Sequence, residues 1–192
     1  PLDMRMDRQA AGPTAADLVN KLSREALTDI FRKYGEERFA WRIAGEIVAV
    51  REKTPFETTA QLVEALRKAM PAPAMRKMSG HPARRVFQAL RIAVNDELGA
   101  LEQGLREAFE LLSEDGRLLV VTYHSLEDRI VKHQMRAWCS EGLGLMEPRR
   151  GIVPDDAEIE DNPKSRSARL RGFHKKFLPT LKEGTMGPWH RC

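Results

Sequence analysis

The sequence predicts a mixed α/β protein in which an all-helical part precedes a part of α/β type. Residues 14–70 carry apolar side chains at helical spacing and show no strand signal. The run 118–123 is apolar and rich in β-branched residues, which is typical of a buried strand in a parallel sheet. Helical patterns precede this run over 84–112 and follow it from Ser125 to about Trp138. A strand between two helices indicates the α/β class.

Composition limits the classes of protein to which the chain can belong. Of its 192 residues, 42% are hydrophobic and 31% are charged, which is enough apolar surface to exclude a wholly disordered chain. No apolar run approaches the length of a membrane span, so we expect no membrane segment. Cys139 and Cys192 have no zinc-type spacing and cannot build a disulfide framework, so a reducing compartment is the default. The net charge of +4 is too small to identify a nucleic-acid partner.

Helix signals divide the first part of the chain. Gly12-Pro13 ends an irregular segment, and Thr14 to Asp17 and Thr58 to Gln61 have the spacing of capping boxes. Gly35 is suited to a left-handed helix stop. The predicted helices span about 14–22, 24–33, 36–52 and 58–70. A break rich in proline and glycine then places a domain boundary near Pro82.

The second part is predicted to hold one long helix and two strands. A continuous apolar stripe indicates a single helix over 84–112, residues 139–163 are predicted to be a loop, and 168–178 is a second candidate strand. Two strands do not complete a doubly wound sheet. The first residue is Pro1 and not Met. We therefore expect the chain to be a piece of a longer protein.

The junction between the first strand and the next helix carries the densest group of reactive side chains. Sites in α/β sheets form beyond the carboxyl ends of strands, and His124, Ser125, Glu127, Asp128 and Arg129 fall there. Structural roles explain the same residues: helix capping for Ser125 and Asp128, an ion pair for Arg129, and a backbone hydrogen bond for His124. The sequence lacks a Gly-x-Ser-x-Gly elbow and His-Glu-x-x-His spacing, so neither a serine nucleophile nor a metal site is predicted.

Basic residues form two candidate surfaces for phosphate. Arg84, Gln88, Arg91 and Asn95 recur on one helical face, although an ordinary solvated face has the same pattern. From Asn162 to Lys182 there are seven Lys or Arg and no acid. A solvated, partly disordered tail is the other interpretation of that segment. Met4 and Met6 are predicted to be packing residues.

Several motifs stand in the order found in one known family. They are Pro1-Leu-Asp-Met-Arg-Met-Asp7, Tyr34-Gly-Glu-Glu-Arg38, His81-Pro-Ala-Arg-Arg-Val-Phe-Gln-Ala-Leu-Arg-Ile92, Asn95-Asp-Glu-Leu98, Gly116-Arg-Leu118, His124-Ser-Leu-Glu-Asp-Arg-Ile-Val-Lys132 and Asn162-Pro-Lys-Ser-Arg-Ser-Ala-Arg-Leu-Arg171. With these motifs the chain resembles the RsmH (MraW) family of S-adenosylmethionine-dependent methyltransferases. Members of that family methylate N4 of a cytidine in the decoding region of small-subunit ribosomal RNA.

The resemblance implies the C-terminal part of a Rossmann-like methyltransferase domain with an inserted all-helical domain. Residues 1–13 correspond to an active-site loop, 14–82 to the helical insertion, and 83–192 to the C-terminal half of the catalytic domain with its basic tail. The implied cofactor is S-adenosylmethionine. The family's glycine-rich cofactor loop and ribose-binding acid precede the motif at Pro1, so the cofactor site is expected upstream of this chain, and the isolated chain is not expected to be fully active.

The resemblance also implies roles for individual residues. The catalytic candidates are Asp3, Asp7, His124, Ser125, Glu127 and Asp128. The RNA-binding candidates are Arg5, Arg84, Arg85, Gln88, Arg91, Asn95, Arg129, Lys164, Arg166, Arg169 and Arg171, with Arg5 and Arg129 holding acids or a phosphate. The implied partner is small-subunit ribosomal RNA or the 30S-type subunit, in the bacterial cytoplasm or alternatively the mitochondrial matrix. The other functional class left open is a non-catalytic RNA-binding fragment or degenerate paralogue.

Overall fold

The computed structural model describes residues 1–9, 11–72, 81 and 83–176. The chain divides into two compact units, Pro1–Glu97 and Leu98–Cys192. The predicted boundary near Pro82 falls inside the first unit. Most of the proline- and glycine-rich break, and the basic tail beyond Lys176, lie outside the described residues.

The first unit is helical over the residues that the structure describes. Its described helices are α1 (Ala15–Lys21), α2 (Arg24–Gly35), α3 (Ala40–Arg51), α4 (Thr59–Ala69) and α5 (Arg84–Asn95). The Thr14 hydroxyl accepts the Asp17 N–H (3.1 Å), and the Asp17 carboxylate accepts the Thr14 N–H (2.9 Å). Thr58 and Gln61 make the same reciprocal pair at α4. Both predicted capping boxes are confirmed.

The left-handed residue that ends α2 lies one position later than predicted. Glu36, and not Gly35, adopts the left-handed conformation, with φ of 47°. Gly35 is needed for a different reason, because a Cβ atom there would lie 2.7 Å from the carbonyl oxygen of Arg85. The reversal at Glu36 is followed by a turn, so α3 begins at Ala40 and not at residue 36.

The predicted single helix over 84–112 is wrong. Asp96 has φ of 46° and ends α5, and α6 (Glu97–Leu111) begins at the next residue. The apolar stripe continues on both sides of Asp96. Hydrophobic periodicity therefore did not reveal the break.

The core of the first unit is made by the inward faces of its helices. Phe31, Ile43, Leu66 and Leu90 are almost completely buried, and they come from four different helices. Leu2, from the irregular N-terminal segment, joins the same cluster. The N-terminal segment is thus anchored in the helical core.

A small antiparallel sheet organises the second unit. It consists of β1 (Arg117–Thr122), β2 (Gly144–Met146) and β3 (Arg169–Lys175), in the order β1–β3–β2. Leu118 and Met146 both face Phe173 in the register. The first strand and the candidate strand near 168–178 are confirmed. The predicted parallel pairing is wrong for the described strands, and so is the predicted burial of the first strand, in which exposed residues alternate with more buried ones. The second neighbour of β3 is β2, which lies in the segment predicted to be a loop.

Residues 139–163 are more ordered than predicted. Besides β2 they contain the short helix α8 (Asp156–Asp161), and a 3-10 turn, Pro163–Ser167, leads into β3. The interpretation of the basic segment as a disordered tail is therefore wrong for residues 163–175. β2 has only three residues, and the helix and the turn are short and polar, so their apolar periodicity was too weak to detect.

Helices pack on one face of the sheet through an aromatic cluster. In α7 (Ser125–Ser140), Trp138 stacks on Phe109 of α6 with ring centroids 4.4 Å apart, and it meets the edge of Phe173 at 5.2 Å. On β1, Leu119 and Val121 point away from this cluster and are 63% and 51% exposed. No helix in the described part of the chain is long and apolar enough to cross a membrane.

Candidate functional site

Backbone hydrogen bonds fix the start of the N-terminal segment. The Leu2 N–H donates to the Glu57 carbonyl (2.8 Å), and the Leu2 carbonyl accepts the Ala16 N–H (2.8 Å). The Asp3 carbonyl accepts the Ala15 N–H (2.7 Å). Asp3 is therefore held against the first turn of α1.

Asp3 and Arg5 form a chelated ion pair. Arg5 Nε lies 2.7 Å from Asp3 Oδ1 and Nη2 lies 3.0 Å from Oδ2, while the Arg5 N–H donates to Oδ1 at 3.2 Å. The guanidinium hydrogen bonds lower the pKa of the Asp3 carboxyl to about 2 against the opposing effect of desolvation. The same bond raises the pKa of Arg5. Arg5 thus holds one of the two candidate acids of this segment in its ionised form.

The two methionines of the segment have different environments. Met4 packs against the helical core and has φ of 67°, in the left-handed region. Met6 is 72% exposed, so the prediction that it is a packing residue is wrong. Asp7 is also exposed, and its Oδ1 accepts the Gln9 N–H (2.8 Å). Asp7 accordingly presents a carboxylate to solvent.

Asn95 joins the end of α5 to the N-terminal segment. Its Nδ2 donates to the carbonyls of Met4 (2.9 Å) and Arg91 (2.8 Å), and its Oδ1 accepts the Met6 N–H (2.8 Å). The sequence predicts an RNA-binding role for Asn95, whereas the structure shows it bound to the N-terminal segment. No local pattern could have revealed a contact between residues so far apart in the chain.

Other polar side chains on or beside the predicted phosphate-binding face of α5, which is formed by Arg84, Gln88, Arg91 and Asn95, make contacts within the first unit. Gln88 Nε2 donates to the Tyr34 carbonyl (3.3 Å), and Arg85 Nη1 donates to the Glu36 carbonyl (3.3 Å). Arg91 chelates the Glu97 carboxylate at 2.7 and 3.0 Å. Arg84 is exposed. Three of the four residues of that face, Gln88, Arg91 and Asn95, therefore make structural contacts.

His124, and not Ser125, caps α7. His124 Nδ1 accepts the Glu127 N–H (3.3 Å), and Glu127 Oε2 accepts the N–H groups of Tyr123 (2.8 Å) and His124 (3.2 Å). His124 Nε2 lies 3.3 Å from Glu127 Oε1. The backbone bond expected for His124 is confirmed. Ser125 is the exposed first residue of the helix.

Asp128 is bound by Arg171 and does not cap the helix. Arg171 Nε lies 2.7 Å from Asp128 Oδ1 and Nη2 lies 3.0 Å from Oδ2. The side chain of Arg171 is only 5% exposed, whereas that of Arg169 is 44% exposed and lies 3.7 Å from Asp128. The predicted role of Arg171 as a phosphate contact disagrees with this burial.

Other cations near the sheet remain accessible. Lys164, Arg166 and Arg169 are exposed around the 3-10 turn and the start of β3, and Arg129 is exposed on α7. Lys175, by contrast, donates to the carbonyls of Phe109 (3.0 Å) and Leu112 (2.7 Å). Exposed basic residues therefore lie just before β3 and on α7, and they are suited to phosphate oxygens.

The second unit does not show a cradle for a nucleotide-like cofactor at its strand-to-helix junction. Residues 122–125, which join β1 to α7, include no glycine, so the backbone there cannot approach a ligand in the way that a glycine-rich turn does. The groups present are the carboxylates of Glu127 and Asp128 and the imidazole of His124, whose Nδ1 already accepts the Glu127 N–H. Carboxylates are suited to binding amine hydrogens or a proton.

Comparison with known proteins identifies the family. Residues 1–176 match the MraW methylase family. The chain is 52% identical over 190 residues to the ribosomal RNA small subunit methyltransferase H of Symbiobacterium thermophilum, covering 91% of this chain and 59% of the relative. It is 50% identical over 189 residues to the protein of the same name from Frankia casuarinae, covering 91% and 58%.

The chain belongs to the MraW methylase family, as its motifs indicated. It spans about three fifths of the length of these two curated relatives. The match includes both units, from the N-terminal segment to the end of β3.

Proposed function

We propose that this chain is part of an S-adenosylmethionine-dependent methyltransferase that modifies N4 of a cytidine in small-subunit ribosomal RNA. The observation that carries the proposal is the family match over residues 1–176, together with relatives at about half identity that are named as small-subunit ribosomal RNA methyltransferases. We further propose that it acts in the bacterial cytoplasm, where ribosomal subunits are assembled.

In this proposal the cofactor is held mainly by a part of the complete protein outside this chain. The described junction after β1 lacks the glycine-rich turn that a nucleotide-like cofactor needs, and the chain spans only about three fifths of its relatives. When bound, S-adenosylmethionine would supply an electrophilic methyl group. The present residues would hold the acceptor base and the RNA.

The acceptor nitrogen needs help because its lone pair is delocalised into the cytosine ring. A site must hold the amine at contact distance from the methyl donor and offer acceptors to its hydrogens as positive charge develops on nitrogen. One proton must then leave. Asp3, Asp7, His124, Ser125, Glu127 and Asp128 are the proposed residues for these tasks.

The contacts of these residues separate their roles. Glu127 already accepts a backbone N–H at the N-terminus of α7, and Asp128 already forms an ion pair with Arg171. Both acids are therefore better suited to positioning than to proton transfer. Asp7 combines an exposed carboxylate with a single described hydrogen bond, from the backbone of Gln9. Asp7 is therefore our first candidate for the acceptor of the amine proton.

RNA binding would use the exposed cations. Phosphate contacts from arginine and lysine position an RNA without reading its sequence, and the target base must be unstacked to enter the site. We assign this role to the accessible set of Arg84, Arg129, Lys164, Arg166 and Arg169. The contacts of Arg5, Arg85, Gln88, Arg91, Asn95 and Arg171 within their own units give these six mainly structural roles in the proposal.

The activity is tested with the complete protein, a deuteromethyl-labelled cofactor and small ribosomal subunits from cells that lack the corresponding methyltransferase. Nuclease digestion and mass spectrometry then identify the labelled nucleoside. We expect labelled N4-methylcytidine from small subunits and none from large subunits. Absence of label, or label on another atom, would refute the assignment.

The roles of the acids are tested with substitutions in the same assay. Asp7→Asn keeps the oxygen that accepts the Gln9 N–H but removes the charge, and we expect kcat to fall about 100-fold or more. Glu127→Ala and Asp128→Ala test the two helix-linked acids. Glu110→Gln, at an exposed position of α6, is the matched control. Full activity of Asp7→Asn would remove Asp7 from the mechanism.

The alternative function is RNA binding without catalysis. It is favoured by the contacts of Glu127 and Asp128, because both carboxylates already bind other groups of the second unit. Calorimetric titration of S-adenosylmethionine into the complete protein separates the two functions. Binding at micromolar affinity supports the methyltransferase, whereas no heat at millimolar ligand supports the non-catalytic alternative.

A further inference from the structure

The N-terminal segment adopts a conformation that a residue with a side chain normally avoids. Met4 has φ of 67°, in the left-handed region where the Cβ atom crowds the following carbonyl. Such conformations persist only where the surrounding contacts hold them, and they are concentrated at functional sites. The contacts on either side of Met4 therefore show which groups stabilise its left-handed conformation.

The Asn95 side chain bonds the backbone of both Met4 and Met6. Asn95 Nδ2 donates to the Met4 carbonyl (2.9 Å), and Asn95 Oδ1 accepts the Met6 N–H (2.8 Å). The second hydrogen of Nδ2 goes to the Arg91 carbonyl of the same helix (2.8 Å), which fixes the orientation of the amide. This arrangement needs a donor and an acceptor on one short side chain. Aspartate supplies only acceptors, and glutamine is one methylene longer.

We call the bonds from the Asn95 amide to the Met4 carbonyl and the Met6 N–H the clamp. The residues beside the clamp are the two candidate acids of the N-terminal segment. Asp3 precedes Met4 and is chelated by Arg5, while Asp7 follows Met6 and is exposed. The direction in which both carboxylates leave the backbone thus depends on the conformation of residues 4–6. A rotation at Met4 would move Asp7 relative to Asp3.

We infer that Asn95 is a positioning residue for the proposed methyl transfer, which it serves by holding residues 4–6 so that Asp7 faces the acceptor base. It acts through the segment and does not contact RNA. The inference rests on the proposed function for its catalytic consequence, but the clamp itself can be measured without activity.

Hydrogen exchange in the complete protein measures the clamp. In Asn95→Ala we expect the Met6 amide to exchange at least fivefold faster than in the wild type, because its acceptor is removed. The Leu2 amide, which donates to Glu57, should keep its protection and so show that the fold is retained. Asn95→Asp keeps the acceptor of the Met6 N–H but loses both donors, and it should have an intermediate effect. Unchanged exchange at Met6 in Asn95→Ala would overturn the inference.

Steady-state kinetics tests the consequence for catalysis. We expect Asn95→Ala to lower kcat at least tenfold with the KM for the ribosomal substrate changed less than twofold, and Asn95→Asp to recover part of kcat. Gln103→Ala is the control, since it removes a helix-surface amide that bonds only Glu107 among the described contacts. A raised KM with unchanged kcat would make Asn95 an RNA contact and overturn the inference.

The two experiments also distinguish the inference from the proposed function. If the wild-type complete protein transfers no methyl group, the proposed function fails and the positioning role fails with it. In that case the exchange result still decides whether Asn95 holds the segment. If exchange at Met6 accelerates but kcat does not change, the clamp exists without a role in transfer, and the inference is refuted while the proposed function stands.

Discussion

Removal of Arg171 is expected to destabilise the second unit much more than removal of its neighbour Arg169. Both arginines approach Asp128, but Arg171 makes two hydrogen bonds at 2.7 and 3.0 Å from a side chain that is 5% exposed. Arg169 lies at 3.7 Å and is 44% exposed. The matched substitutions are Arg171→Met and Arg169→Met, which keep most of the apolar stem and remove the charge.

The magnitude follows from burial. Breaking a buried ion pair by removing one partner costs about 3–5 kcal/mol, because the remaining charge is left without compensation. The Asp128 side chain is 19% exposed and keeps Arg169 nearby, so we expect about 2–3 kcal/mol for Arg171→Met. Exposed pairs contribute about 0–1 kcal/mol, so Arg169→Met should cost less than about 0.5 kcal/mol.

Urea unfolding followed by tryptophan fluorescence measures these free energies. Substituting Trp41 and Trp189 with Phe leaves Trp138, which packs between Phe109 and Phe173, as the reporter of the second unit. A double-mutant cycle of Asp128→Asn with Arg171→Met isolates the pair, and we expect a coupling of about 1.5 kcal/mol or more.

Equal losses for the two arginine variants would refute this reasoning. So would a coupling below about 0.5 kcal/mol, because the pair would then behave as an exposed one.

Three further predictions concern the first unit. Gly35→Ala should destabilise it by about 1–3 kcal/mol, measured by thermal unfolding, since the new methyl group meets the carbonyl of Arg85; an unchanged Tm would contradict the close approach. Thr14→Ala should cost about 1 kcal/mol in urea unfolding through loss of the capping box, and a neutral effect would show that the cap is not needed. The Asp3 carboxyl should titrate by NMR with a pKa of about 2, and Arg5→Ala should move it back towards 3.8. Because the folded-state pKa of Asp3 is lowered, the ionised Asp3 stabilises the fold above about pH 4, and this stabilisation is lost as the pH falls towards 2. If the pKa of Asp3 does not respond to Arg5→Ala, the ion pair between Asp3 and Arg5 is contradicted.

The features that the sequence predicted well are those set by residues close together in the chain. A capping box needs only a Thr and an acceptor three residues later, so Thr14 and Thr58 identified helix starts correctly. Leu90 lies on the apolar stripe predicted for 84–112, and its burial likewise follows from local periodicity. These features depend on no other part of the fold.

The features that were missed depend on contacts between distant residues or on backbone geometry without a residue signature. Aspartate occupies the left-handed region at Asp96 without a distinctive sequence pattern, so the break between α5 and α6 was not visible. Pairing of β1 with β3 joins segments about fifty residues apart, and the antiparallel direction cannot be read from either strand. The pairing of Asp128 with Arg171 depends on that register. Sequence motifs could therefore identify candidate site residues. They could not show which of these residues already form ion pairs or hydrogen bonds within the fold.

The outer face of β1 has a practical consequence for handling the protein. In the described sheet β1 pairs on one side only, with β3, and it carries the exposed side chains of Leu119 and Val121. An unpaired strand edge beside apolar side chains is a template for intermolecular strand addition. Preparations of this chain by itself should therefore self-associate as concentration rises while remaining folded. A single lysine placed at Leu119 or Val121 should raise solubility without loss of the core.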